Sequence, residues 1–128
     1  MKTIIKLAAI LLSIAGLSSC DAEIKNVTVK NLVGTWDLVS ETVVSYSGTE
    51  TTTKVTTGEY IVITEDSFTE VNGNRETKYS FSYNDPHFIV DGANLYDVKS
   101  LTRKQLVLRA NILIPLLQTD HWYTYERR

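Results

Sequence analysis

One cysteine, one methionine, two prolines and six glycines are all that this chain of 128 residues holds of those four types. Its single thiol, at position 20, rules out an internal disulfide framework and any Cys-rich zinc site. Alanine is scarce as well: it occurs three times after residue 19. Positive charge is in short supply, with 13 Lys and Arg against 15 Asp and Glu, so the clustered basic footprint of a nucleic-acid binder is missing. There is no Gly-rich phosphate loop and no Gly-x-Ser-x-Gly nucleophile elbow, and His87 and His121 are the only imidazoles. The longest early apolar stretch, Leu7 to Leu17, has eleven residues, too few for a bilayer core that needs about 20. A chain of this length makes one domain at most and can bury a core without staples.

The start of the chain reads as an address. Lys2 and Lys6 form a positive n-region ahead of the Leu7–Leu17 h-region, the layout of a signal peptide. The following Leu17-Ser18-Ser19-Cys20 resembles a bacterial lipobox, with Leu at −3, small residues at −2 and −1, then Cys. That resemblance implies cleavage after residue 19, a diacylglycerol thioether on Cys20 and acylation of the new amine by palmitate-type chains. Two or three such chains anchor stably where one is marginal. The expected location is the cell envelope, lipid-anchored, at the outer membrane facing periplasm or surface rather than at the inner membrane. Without Lys2 and Lys6 there are 11 basic and 15 acidic side chains, a net charge of −4. Residues 20–31 read as acylated Cys and polar tether, and residues 32–128 as the folded domain.

The rest is written in β. Residues 20–128 contain 12 Val, 6 Ile, 15 Thr and 7 Tyr, and β-branched and aromatic enrichment with so little Ala favours strands over helices. Turn signals cut the chain at short intervals. They bound runs at Thr35–Tyr46, Thr51–Thr64 (bent at Gly58), Ser67–Val71, Glu76–Tyr83, His87–Val90, Leu95–Leu101, Gln105–Ile112 and Thr119–Arg127. Asn72-Gly73-Asn74 predicts a hairpin of type I′, and Asp91-Gly92 predicts a second hairpin. Thr77, Tyr79, Phe81 and Tyr83 alternate strictly with Glu76, Lys78, Ser80 and Ser82, as half-buried antiparallel strands do. Eight such strands hide their edges most simply by closing into an up-and-down barrel, with a sandwich as the second solution.

Gly34-Thr35-Trp36 opens the first strand, and the last strand ends on Arg127-Arg128. A Gly-x-Trp in that position together with a terminal Arg resembles the lipocalin signature. Leu101-Thr102-Arg103-Lys104-Gln105-Leu106-Val107-Leu108 is similar to a Leu-Thr-x-x-x-Leu-x-Leu hairpin of the small bacterial lipocalin-like (calycin-type) lipoproteins. The resemblance runs along most of residues 32–128, although a second motif of Thr-Asp-Tyr type is missing. It implies an eight-stranded antiparallel barrel in which Trp36 plugs the closed end and Arg127, or else Arg128, lies over its ring as a cation–π lid.

Tyr60, Phe68, Tyr79, Phe81 and Tyr83, with Trp36, are expected to point inward. They either fill the barrel, whose eight-stranded interior is just wide enough for side chains, or line a ligand cavity with phenol hydroxyls as polar anchors. The histidines lack metal-ligand spacing, so no metal or other cofactor is expected. Asp66, Glu70, Asp85, Asp91 and Asp97 read as solvated charges. The odd segment is Ile112-Leu113-Ile114-Pro115-Leu116-Leu117, where Pro115 interrupts any ladder. It is either an exposed patch for an envelope protein partner or a cap over the barrel mouth. The functional expectation is a non-enzymatic, membrane-anchored barrel holding a small apolar or amphipathic ligand. The alternative is a solid barrel whose loops dock an envelope complex or inhibit an enzyme.

Overall fold

The computed structural model describes residues 22–91, 94–110 and 119–128. The signal-peptide reading at 1–19, Cys20 and the Ile112–Leu117 segment lie outside the described residues. One short helix, α1 (Val29–Leu32), precedes ten strands: β1 (Gly34–Val44), β2 (Glu50–Lys54), β3 (Tyr60–Ile63), β4 (Phe68–Asn72), β5 (Arg75–Tyr79), β6 (Phe81–Asn84), β7 (His87–Val90), β8 (Asn94–Leu101), β9 (Gln105–Ala110) and β10 (Asp120–Arg127). All ladders are antiparallel, in the order β5-β4-β3-β1-β10-β9-β8-β7-β6, with β2 also paired to β1.

Ten segments make eight staves. β2 and β3 both lie on the same edge of β1, at Ser40–Val44 and at Gly34–Asp37. The bonds Val55 N to Val39 O and Leu38 N to Glu59 O carry the ladder past the break, where Gly58 takes a positive φ of 78°. β5 and β6 are separated by Ser80 alone, β5 pairing with β4 and β6 with β7. The last gap in the wall is therefore bridged by a continuous chain rather than by a ladder, and Asp91 N donates to Ser80 O at 2.7 Å, carrying the β6–β7 pairing up to this junction. The result is a nearly closed up-and-down barrel, as the alternation and turn spacing predict.

Two local details differ from expectation. The β4–β5 hairpin centres on Gly73-Asn74, and among its turn residues the positive φ belongs to Gly73 alone (63°), the type II′ pattern rather than I′. Residues 22–31, read as tether, contribute to the fold: Val27 is buried in the core, Ile24 packs against it, and Ile24 N donates to Leu101 O at 2.7 Å.

The connections of β3 to β4, β6 to β7 and β8 to β9 lie at one end of the barrel, together with α1 and the end of β10. A plug closes this end. Trp36 is fully buried and its Nε1 donates to Leu32 O at 2.9 Å. The Arg127 guanidinium stacks over its ring at 4.1 Å. Arg127 also donates to three backbone carbonyls: Arg103 at 2.7 Å, Val33 at 2.8 Å and Asn31 at 3.1 Å. Gly34 sits beneath this cation with φ +152°, and a Cβ there would collide with Arg127 Nη1. Glycine is required by both backbone and space.

Above the plug lies an aromatic floor. Phe88 is fully buried, with Phe81, Phe68 and Tyr83 rings at 4.9, 5.6 and 5.7 Å, the last two edge-to-face. Such pairs add about 0.5–1.5 kcal/mol each beyond the area they bury. Leu101, Leu106, Leu108, Ile63 and Val90 complete it. Trp36→Ala is expected to destabilise the chain by about 3–5 kcal/mol, as large aromatic truncations do. Urea denaturation followed by circular dichroism checks this. Coincident transitions for variant and parent would mean that the plug does not hold the closed end.

Candidate functional site

At the opposite end of the barrel, where β1–β2, β4–β5, β7–β8 and β9–β10 connect, the described residues hold no plug like that of Trp36. Register decides which side chains face the lumen there. Leu38 pairs with Tyr125, Glu41 with Tyr123, and Ile61 with Glu70, which in turn faces Thr77. Tyr79 opposes Phe68, and Tyr96 opposes Phe88. The paired residues share the inner face, since cross-strand partners point the same way.

A cavity of about 290 Å³ occupies this half, walled by Leu38, Ile61, Glu70, Thr77, Tyr79 and Tyr125, with Arg75 at its margin. Four tyrosines ring the lumen at this level. Tyr96 and Tyr123 meet edge-to-face at 6.4 Å, while Tyr125 is 8 % exposed. Glu70 lines the cavity, and its negative charge reaches all four phenols. Burial pushes Tyr96 up to about 12, with the Glu70 charge adding to it. Burial also raises Tyr125 well above the ordinary phenol range, and raises Tyr123 with help from Glu41 and Glu70. At Tyr79 the Glu70 charge comes first, ahead of burial and of the hydrogen bond between the two side chains. The site offers apolar wall, phenol hydroxyls, the carboxylates of Glu59 and Glu70 and the Arg75 guanidinium, which suits a small molecule with a polar head.

The five residues expected inside take different places. Tyr79 lines the cavity. Phe68, Phe81 and Tyr83 belong to the packed floor, and the Tyr83 hydroxyl donates to Asp85 Oδ1 at 2.6 Å. Tyr60 alternates outward with its partners Asp37 and Val71, and Arg128 stacks on its ring at 4.1 Å while bonding Asp37 at 2.6 Å. Its contribution to the cavity is at the edge of the wall. Of the two terminal arginines, Arg127 covers Trp36 and Arg128 covers Tyr60.

Leu38, Glu70, Tyr96, Tyr123 and Tyr125 were not singled out by sequence reasoning as lumen residues, whereas the alternation had put Thr77 on the face of Tyr79, Phe81 and Tyr83. For Tyr123 and Tyr125 the signal was present, because they alternate with Trp122 and Thr124 in the last strand. Glu70 carries no such signal, since a carboxylate in a strand reads as solvent-facing until its partners Ile61 and Thr77 are known. Outside the barrel, His87 Nδ1 lies 2.9 Å from Asp97 Oδ1, beside a depression of about 320 Å³ that includes Ile89 and Leu95. His121 pairs with Val43 and Ala110 near the mouth. Among the described residues, no three His, Cys, Asp or Glu side chains converge as a metal ion requires.

A phenol whose ionisation is suppressed by folding makes stability depend on alkaline pH. The unfolded chain ionises its tyrosines near pH 10. The folded chain keeps Tyr96 neutral to about 12 and Tyr125 at least as long. Their stabilisation is therefore complete below pH 10 and is lost progressively as pH rises above it, the Tyr96 share by about pH 12 and the Tyr125 share later. Tyr125→Phe is expected to flatten the loss of stability between pH 10 and 11.5, measured by urea denaturation at fixed pH. An unchanged slope would place Tyr125 in water. No protein-family model matches the chain, and no curated protein sequence does.

Proposed function

We propose that this chain is a non-enzymatic, lipocalin-like lipoprotein of the bacterial cell envelope. In this reading Cys20 carries the anchor, and the open half of the barrel holds one small amphipathic molecule. The observation that carries the ligand reading is the cavity of about 290 Å³, set above an aromatic floor and walled by inward-facing Leu38, Ile61, Tyr79 and Tyr125. Its size is near the lower end of ligand pockets, roughly 300–1,000 Å³. The ligand is accordingly a short-chain or single-ring compound rather than a long lipid. Apolar contact supplies most of the affinity, at about 25 cal/mol per Å² buried. The phenols, Glu70 and Arg75 orient the polar head. The lipocalin-like reading is supported by Gly34, Trp36 and Arg127, which the fold brings into one stack at the closed end. The anchor reading is supported by the Leu17-Ser18-Ser19-Cys20 sequence.

Native mass spectrometry of the mature chain, residues 20–128 with Cys20→Ser, tests the ligand reading against a panel of short-chain fatty acids, aromatic acids and aromatic amines. A discrete one-to-one adduct is expected. It should weaken at least ten-fold in Thr77→Trp, which fills the lumen from a position outside the packed floor. A folded Thr77→Trp that binds every probe as the parent does, or a parent that binds none, would overturn it and direct attention to the docking alternative. Cellular fractionation tests the anchor: wild type should sediment with membranes and Cys20→Ser should be released. A Cys20→Ser chain retained in the membrane pellet would count against lipidation at that residue.

A further inference from the structure

The closed end carries a charge pattern that the plug does not use. Lys30, on α1, and Arg103 and Lys104, in the turn from β8 to β9, are exposed and line one depression of about 510 Å³ with Ile24 and Arg127. The guanidinium of Arg127 is spent on Trp36 and three carbonyls. The three ion pairs among the described residues involve other cations, so Lys30, Arg103 and Lys104 present their charge to solvent. This concentration stands out in a chain whose net charge is −2. Of the acidic residues of the same end, Glu65, Asp66 and Asp85 sit in the β3–β4 and β6–β7 turns, while Glu23 and Glu126 adjoin Ile24 and Arg127 in sequence; none of the five lines this depression.

The N-terminal segment leaves the barrel on the cationic side. Ile24 lines the depression, and its amide is bonded to Leu101 O, one residue before the β8–β9 turn begins. Cys20 is four residues away in sequence, so a fully extended chain spans at most about 14 Å between them. If Cys20 carries the lipid, as the proposed function holds, Lys30, Arg103 and Lys104 are confined to within one or two screening lengths of the bilayer, about 8 Å each at physiological salt. Surface cations this close to anionic lipid contribute additively to binding and lose it in salt.

We propose that the Lys30–Arg103–Lys104 face is a docking surface for the anionic phospholipid headgroups of the membrane that anchors the chain. The closed end is thereby seated on the bilayer. The opposite end, with Glu70 and the tyrosines, then faces away from the membrane, toward the aqueous compartment.

The test separates this surface from the anchor on which it builds. The mature Cys20→Ser chain, which has no acyl chains, is sedimented with vesicles of phosphatidylcholine alone or of three parts phosphatidylcholine to one part phosphatidylglycerol. At 50 mM salt it should bind the anionic vesicles at least ten-fold better than the neutral ones, and 500 mM salt should release it. Lys30→Gln/Arg103→Gln/Lys104→Gln should remove the preference while leaving the urea transition in place, since none of the three side chains is buried or paired. Equal partition to both vesicles, including binding to neither, or a preference that survives in the triple variant, would overturn the proposal. Failure of lipidation is read separately, as wild type absent from the membrane fraction of cells.

Discussion

The ladder between β1 and β10 is the constraint on which the rest of this structure depends. It joins the first long strand to the last, over the register from Trp36–Arg127 to Val44–Asp120, and without it the sheet has two open edges. Its lower end is also the site of the Trp36–Arg127 stack, so one cross-strand pair fixes the register and closes the barrel floor. Arg127 fixes α1 and the β8–β9 turn through the carbonyls of Asn31, Val33 and Arg103. A guanidinium can do this because its planar fork presents several donors at fixed angles while its face stacks on an indole. Lysine, a point charge with no flat face, could not serve all of these partners at once.

From that seam the lumen divides into two halves of different character. Near the plug, Phe68, Phe81, Tyr83 and Phe88 interlock and leave no room for a ligand. Toward the mouth the inner face carries Thr77, Glu70 and tyrosines instead, and the packing gives way to a cavity. An eight-stave interior is wide enough either to be filled or to hold one small guest. This barrel does the first at one end and the second at the other. The β5–β6 junction contributes as well: each half-strand has one ladder partner, so the wall is least tightly bonded beside the cavity.

The two ends also differ in charge. Exposed cations gather beside the exit of the N-terminal segment, and carboxylates look into the lumen at the far end. In the proposed reading, with Cys20 lipidated, the short reach from Cys20 to Ile24 couples these facts, and seating, orientation and the direction of ligand entry are consequences of one geometry.

Much of this was legible in the chain. Strand positions followed from turn residues and period-two alternation, which are local properties, and His87–Val90 was placed to the residue. Gly34, Trp36 and Arg127 were singled out because a Gly-x-Trp in the first strand and an Arg ending the last resemble the lipocalin signature, not because of local spacing. The break at Gly58 showed as a bend in a long run. Three things were not readable. That Phe68, Phe81 and Tyr83 pack against Phe88 while Tyr79 lines open space depends on depth along the barrel, which alternation does not encode. That Tyr60 turns outward depends on its register against Asp37 and Val71, and a slip of one residue would reverse it. That Glu70 faces the lumen, and that Lys30 joins Arg103 and Lys104 across more than seventy positions, depends on closure, which alone brings distant strands to a common face. The sequence by itself determined the strands and their alternation, because these rest on neighbours two to four positions apart. Depth, handedness of each face and the company each charge keeps were decided by the tertiary structure, because a barrel assigns them only when its first and last strands meet.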